Sequence, residues 1–344
     1  MSIPFCGIFS IAVQIALCRL YSYMLHRIFT LLLIGIACQL YAQPYIDNVP
    51  KAFFSINEYP YTLDFRSDIK GLNGGHLQGV QMHRTNSDND VYNIVATASS
   101  VSHAYYVCAK VSGINSTQRL LKSIHINSTE LKASTDIHII DSLPYRHAGG
   151  CQLSGDVMAV GIEDNMAKDK AKVALINVND NNSIIVVNRR GTFERSTAGA
   201  VAYIRLKTDQ YLIAVGDWDT KNIDFYQSKP SNVAAFDSIA TYKADTISAW
   251  GSYQSINLIQ QADGKLYMIG FCLDAKGSRA DLFSLTLEGG AKLQVVASRY
   301  FKTEKGVSFR YGAGIDITED KKMVILACQR TLRKGRNYIN AWYK

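Results

Sequence analysis

The pattern H-x-x-G-x-Q occurs twice, at His76–Gln81 and His147–Gln152, and is the sharpest chemical coincidence in the sequence. If the two copies occupy equivalent places in neighbouring repeats, they present two imidazoles side by side. With a carboxylate from Glu163 or Asp217 added, such a pair can hold zinc or manganese, the candidate ligand set being His76, His147 and Asp217. The same side chains can instead pass protons to and from a bound substrate. The competing role is structural, a repeat-derived histidine bonded to a neighbouring backbone. It is preferred because no metal-ligand spacing is local in sequence. A second candidate is Gly216–Asn222, GDWDTKN. At strand spacing Asp217 and Asp219 point the same way and can polarise sugar hydroxyls, while Trp218 offers a stacking face; a charged turn is an equally good reading.

Several signatures are missing. The sequence has no G-x-S-x-G elbow, no P-loop and no dinucleotide fingerprint. NSDND at Asn86–Asp90 and NVNDNN at Asn177–Asn182 lack the full ligand run of a calcium loop and read as turns.

The elements that must position these residues form an internal repeat. Five segments align without gaps: HLQGVQ from His76, HAGGCQ from His147, TAGAVA from Thr197, SYQSIN from Ser252 and YGAGID from Tyr311. The fourth position is always small (Gly79, Gly150, Ala200, Ser255, Gly314) and the fifth always apolar. Small residues in one register predict a strand crowded by copies of itself around an axis. The sixth position is mostly polar (Gln81, Gln152, Asn257, Asp316), and such a ring is expected to hold structural water. Each segment is followed by a polar turn and a nearly continuous apolar run, such as DVMAVGIED or KLYMIGFCL, which predicts a strand buried on both faces. Alternating third strands and weaker fourth strands follow, RLLKSIHI being read as the fourth strand of the first unit. The fifth unit has only three strands, and the unmatched YTLDFRSD from Tyr61 can supply its fourth. The longer first unit is explained by an insertion near Asn127–Asp141, with a degenerate sixth unit as the alternative.

This pattern resembles the β-propeller proteins as a class over Tyr61–Lys344. The resemblance implies an all-β fold, a five-bladed β-propeller of four-stranded antiparallel blades whose ring is closed by an N-terminal strand. It also implies a site at the mouth of the central channel, lined by the starts of innermost strands and the loops after second strands. Those positions hold His76, His147, Arg310 and Tyr311 from the first set and Glu163, Asp217, Trp218, Asp219 and Arg330 from the second.

Residues 1–42 carry two basic residues, Arg19 and Arg27, and no acidic one. From Met24 the sequence has the layout of a secretory signal peptide ending at Ala42, so Met24 is a candidate true start. The expected organisation is a signal region over 1–42, a linker over 43–60 and one domain over 61–344, exported to the periplasm, outer surface or medium. A membrane anchor would be confined to the N-terminal stretch. The protein is basic, with a net charge of +8, but its Lys and Arg are scattered apart from Arg330, Arg333, Lys334 and Arg336. Export makes nucleic acid an unexpected partner. Cys108, Cys151, Cys272 and Cys328 lie in apolar strand text and are expected to be buried free thiols.

A five-bladed glycosidase would place acid and base carboxylates on several innermost strands, and only Asp316 meets that expectation. The leading expectation is therefore a non-enzymatic module that binds a glycan or a protein surface through His76, His147, Trp218, Asp219, Arg310, Tyr311 and Arg330, with no cofactor. The alternative is a metal-assisted hydrolase of a phosphoester or glycan bond using His76, His147, Glu163 and Asp217, with a divalent metal. A rigid subunit of an envelope complex is a third reading.

Overall fold

The computed structural model describes residues 45–84, 91–112, 133–230, 232–244, 247 and 250–344. The signal region, the turn at Asn86–Asp90 and the segment RLLKSIHI lie outside them. The fold is all-β with curled sheets. It begins with a short helix, α1 (Val49–Ser55), in the stretch read as a linker. Asn48 caps it by accepting from the Lys51 amide, and Val49 and Phe53 bury one face. Its free amide at Val49 donates to Gln261 Oε1, and Arg299 bonds the carbonyls of Phe53 and Ile56, so α1 is fastened to the sheets.

Twenty strands follow among the described residues. β1 (Tyr61–Ser67) stands first. The first four-stranded group is β2 (Leu77–Arg84), β3 (Val91–Ser99), β4 (His103–Ser112) and β5 (Ala133–Ser142). The second is β6 (His147–Ser154), β7 (Val157–Glu163), β8 (Lys170–Asn177) and β9 (Ser183–Arg190). The third is β10 (Ala200–Arg205), β11 (Tyr211–Gly216), β12 (Asn222–Lys229) and β13 (Asn232–Lys243). The fourth is β14 (Ser255–Gln260), β15 (Leu266–Asp274), β16 (Gly277–Thr286) and β17 (Lys292–Phe301). The fifth is β18 (Ala313–Ile317), β19 (Met323–Cys328) and β20 (Gly335–Trp342), completed by β1 pairing antiparallel to β20 from Tyr61↔Ala341 to Ser67↔Gly335.

Each group is an antiparallel meander. Single parallel bridges, Ala313↔Gly79 and Ala200↔Gly150, join four of them into two eight-stranded sheets. Five apolar clusters fill the spaces between successive groups. One lies between the fifth group and the first, where Leu63, Val324, Leu326 and Ile339 meet Val80, Ile94 and Val107. The second strands are buried on both faces because each faces a cluster on either side, as with Met158–Glu163.

The fourth strand of the first group corrects the sequence reading. It is β5, ASTDIHIIDS, most of which the repeat pattern places in an insertion. Only Thr135 of this strand is fully buried, so its text lacks the apolar run that identifies inner strands.

The small fourth positions are explained by close contact between innermost strands of different groups. A Cβ on Gly79 would stand 2.7 Å from the Cys151 amide nitrogen, and one on Gly150 would stand 2.5 Å from the Gln254 carbonyl oxygen. The sixth positions do different work from the water ring expected of them. Gln152 Oε1 accepts from the amides of Tyr203 (3.1 Å) and Leu258 (2.8 Å), and its Nε2 donates to Leu258 O (2.8 Å). Asn257 Oδ1 accepts from the Ile315 amide, and Gln81 Oε1 from the Leu153 amide. The inner edge of each innermost strand would otherwise be unpaired, and amide side chains of neighbouring groups satisfy it. Cys108, Cys151, Cys272 and Cys328 are free and buried, and burial pushes the Cys108 thiol to about 11 and the Cys151 and Cys272 thiols to about 12.

Candidate functional site

The starts of β2 and β6 and the end of β7 bring three of the candidate residues together. His147 opens β6 opposite Glu163, the last residue of β7, because the two are register partners. Glu163 is 1% exposed, and its Oε2 accepts from the Ala198 amide of the third group at 2.8 Å. Its Oε1 stands 3.1 Å from His147 Nδ1, with the ring turned off the hydrogen-bond axis, so the contact is electrostatic. On the other side Gln78 Nε2 donates to His147 Nε2 at 2.8 Å and reaches His76 Nε2 at 3.5 Å. His76 Nδ1 lies 3.2 Å from the Leu77 carbonyl.

These contacts assign tautomers to both rings. A proton on each Nδ1 faces Glu163 or Leu77 O, and each Nε2 keeps its lone pair toward Gln78. For His76 the Gln78 contact is long, which leaves that lone pair available at the half-exposed mouth. His76 is also held below its ordinary value of 6.5, chiefly by burial, then by His147 and the charges of Arg330 and Arg310, with the Leu77 carbonyl opposing. The neutral imidazole is therefore favoured over the charged one relative to an ordinary histidine. The His76 and His147 rings are 5.9 Å apart edge to face, and Tyr311 lies 6.3 Å from His76. Arg330 Cζ is 5.6 Å from the Tyr311 ring, and both Arg330 and Arg310 are exposed.

Gln78 was missed by the sequence reading. Its one signal was an amide near the start of an innermost strand, at a place where three of the other four repeats carry Gly or Ala.

The second candidate group is arranged differently. β11 ends at Gly216, and Trp218–Thr220 is a 3-10 turn with Asp219 at φ 58°, so strand alternation does not align Asp217 with Asp219. Asp217 is buried and accepts from the Asn222 amide (2.8 Å) and side chain (2.6 Å). Burial raises its pKa, against the opposing pull of Asn222, Arg195 and Arg189. Lys168 Nζ sits 3.5 Å from the Trp218 ring centroid, covering one face of the indole. Two further carboxylates after second strands are likewise occupied locally, Asp164 by the amides of Met166 and Ala167 and Asp274 by the Lys276 amide. Glu163 differs in meeting the Ala198 amide of another group and in lying beside His147. Among the described residues no group of three or more His, Cys, Asp and Glu side chains is placed to hold a metal ion, so the set His76, His147 and Asp217 is not assembled as one.

No protein-family model matches this sequence, and no curated protein sequence matches it. Solved structures do. The catalytic domain of a GH62 α-L-arabinofuranosidase from Coprinopsis cinerea aligns with a TM-score of 0.47 at 9% identity, over 78% of this chain and 92% of that one. An exo-β-1,3-galactanase from Clostridium thermocellum aligns with a TM-score of 0.46 at 11% identity, over 80% of this chain and 61% of that one. A GH32 β-fructofuranosidase from Bombyx mori aligns with a TM-score of 0.45 at 12% identity, over 83% and 63%. All three are glycosidases, which stands against the expectation of a module that binds without turnover. Carboxylates were expected on innermost strands, whereas Glu163 arrives from the end of a second strand and lies beside an innermost-strand histidine.

Proposed function

We propose that the chain is a hydrolase of glycan bonds, acting where His76, His147, Gln78 and Glu163 meet. The observation that carries this reading is the run of contacts from a buried carboxylate, through His147 and Gln78, to the half-exposed Nε2 of His76. A buried carboxylate beside one imidazole, whose other nitrogen accepts from an amide that also reaches a second imidazole, gives a general base polar support. In this reading His76 Nε2 takes a proton from water as the water oxygen bonds to the anomeric carbon. The glycosidic oxygen leaves toward the open side, where solvent supplies its proton. Tyr311 offers an apolar ring face beside the base, which suits the C–H face of a sugar.

The same proposal takes the five meanders as the blades of a closed five-bladed propeller over 61–344, with β1 as the closing strand. It takes the Met24–Ala42 text as an export signal, which suits an enzyme for extracellular glycans. The test is release of reducing ends from a panel of plant, algal and bacterial glycans. His76→Gln is expected to lower kcat about 100- to 10,000-fold with an unchanged melting temperature. Equal activity of the variant, or no release from any glycan in the panel, would refute the assignment.

A further inference from the structure

We infer that the mouth beside His76 takes a glycan bearing an anionic group, a uronic carboxylate or a sulfate ester, held between Arg310 and Arg330. This deepens the glycan-hydrolase reading and rests on it.

The two guanidinium groups come from separate loops, each fixed by packing. Arg330 follows β19, and its carbonyl accepts from the Leu77 amide at 2.8 Å, next to His76. Its side chain extends over Tyr311. Arg310 belongs to the 3-10 turn Phe309–Tyr311, which is pinned by the fully buried Phe309 and by the Ser308 hydroxyl accepting from the Arg310 amide. Tyr311 itself is held from behind, where Cys328 Sγ approaches its carbonyl at 3.0 Å. Arg330 therefore lies by the ring of Tyr311, and Arg310 directly precedes that tyrosine in the turn.

Their charges are left for a ligand, in contrast to several other arginines of the chain. Arg195, Arg205 and Arg279 each meet a carboxylate within 3.0 Å. Among the described residues neither Arg310 nor Arg330 forms an ion pair. The carboxylate of this mouth, Glu163, is turned inward to Ala198 and His147 and does not neutralise them. Both positive charges are felt at His76, where they oppose its protonation. Two exposed guanidinium forks without an ion pair among the described residues, one of them against an aromatic ring, match a planar or tetrahedral oxyanion carried on a sugar ring.

The probe is inorganic sulfate, titrated at constant ionic strength into the full chain carrying isotope-labelled histidine and followed at the His76 imidazole resonances. A saturable shift is expected, and Arg310→Gln with Arg330→Gln together should raise the dissociation constant about tenfold or more. Oligogalacturonate and a sulfated galacto-oligosaccharide are then added as competitors, each beside its uncharged counterpart, the methyl ester or the unsulfated oligomer. Displacement of sulfate by one acidic oligomer and not by its neutral counterpart identifies the source of the anion. No saturable shift, an unchanged constant in the double variant, or equal competition by a neutral counterpart overturns the inference. So does failure of both acidic oligomers to compete. Glu163→Gln separates this inference from the one beneath it. The variant should keep sulfate binding and lose hydrolysis; in the unaltered chain, sulfate binding with every glycan left intact would sink the hydrolase reading alone, and hydrolysis without anion dependence would sink this inference alone.

Discussion

Replacing Gln152 by Leu tests whether amide side chains hold the axis of the molecule together. Gln152 is 2% exposed and serves three buried backbone groups, the amides of Tyr203 and Leu258 and the carbonyl of Leu258. Leucine fills a similar volume and satisfies none of them. Each stranded buried group costs about 1–3 kcal/mol, and some relaxation is available, so a loss of about 3–6 kcal/mol is expected. For a domain of this size that lowers the melting temperature by roughly 6–12 °C. The assay is urea unfolding followed by far-ultraviolet circular dichroism, with the midpoint moving and the slope unchanged. Gln260→Leu is the matched control. Gln260 also bonds two backbone groups, Lys207 N and Gly264 O, but at the half-exposed end of β14, where water replaces it. That variant should lose less than about 1 kcal/mol. A Gln152→Leu variant no worse than the control would refute the reasoning, because the strand edges would then be stable without these bonds.

Two further predictions concern charge. His76 should titrate below 6.5 by histidine NMR, and His147→Gln should raise its midpoint more than Arg330→Gln does. Since the unfolded chain binds this proton at a higher pH than the folded one, His76 makes stability rise with pH in the window just below 6.5, and His76→Gln should flatten that slope. At Asp224, burial pushes the carboxyl up, but the hydrogen bonds from Arg195 and Thr241 and the charge of Arg189 outweigh it and hold the pKa below the ordinary value. Its contribution is therefore present above the ordinary carboxylate pKa and lost as pH falls through and below it. Arg195→Ala should cost about 2 kcal/mol at neutral pH, discounted because Arg195 is a third exposed and Arg189 remains, and should shrink this acid-sensitive part. An unchanged acid limb in that variant would contradict the pairing.

The axial strands were legible in the sequence because crowding leaves a residue-type trace: where Gly79 and Gly150 meet the next strand's backbone, a side chain has no room. The apolar run VMAVGIE was legible for a related reason, since burial on both faces removes alternation. What the amides at Gln81, Gln152 and Asn257 bond to was not legible, because their partners belong to other repeats and depend on the curvature between them. His76, His147 and Glu163 stand together because their repeat positions do, whereas Asp217 and Asp219 were aligned by assuming a strand that stops at Gly216. Gln78 left almost no trace, since one amide at a position that also tolerates Gly and Ala reads as variation.

The pairing of β1 with β20 has a consequence for biogenesis. A strand made early, with Leu63 and Phe65 prepared for burial, has to wait for a partner made much later in synthesis. Until Gly335–Trp342 arrives, the fifth group lacks half of its strands and the apolar space between it and the first group has an open wall. A chain stopped short of Gly335 would display that surface, and would be marked for binding by chaperones or cutting by proteases before any defect at the distant histidines could matter.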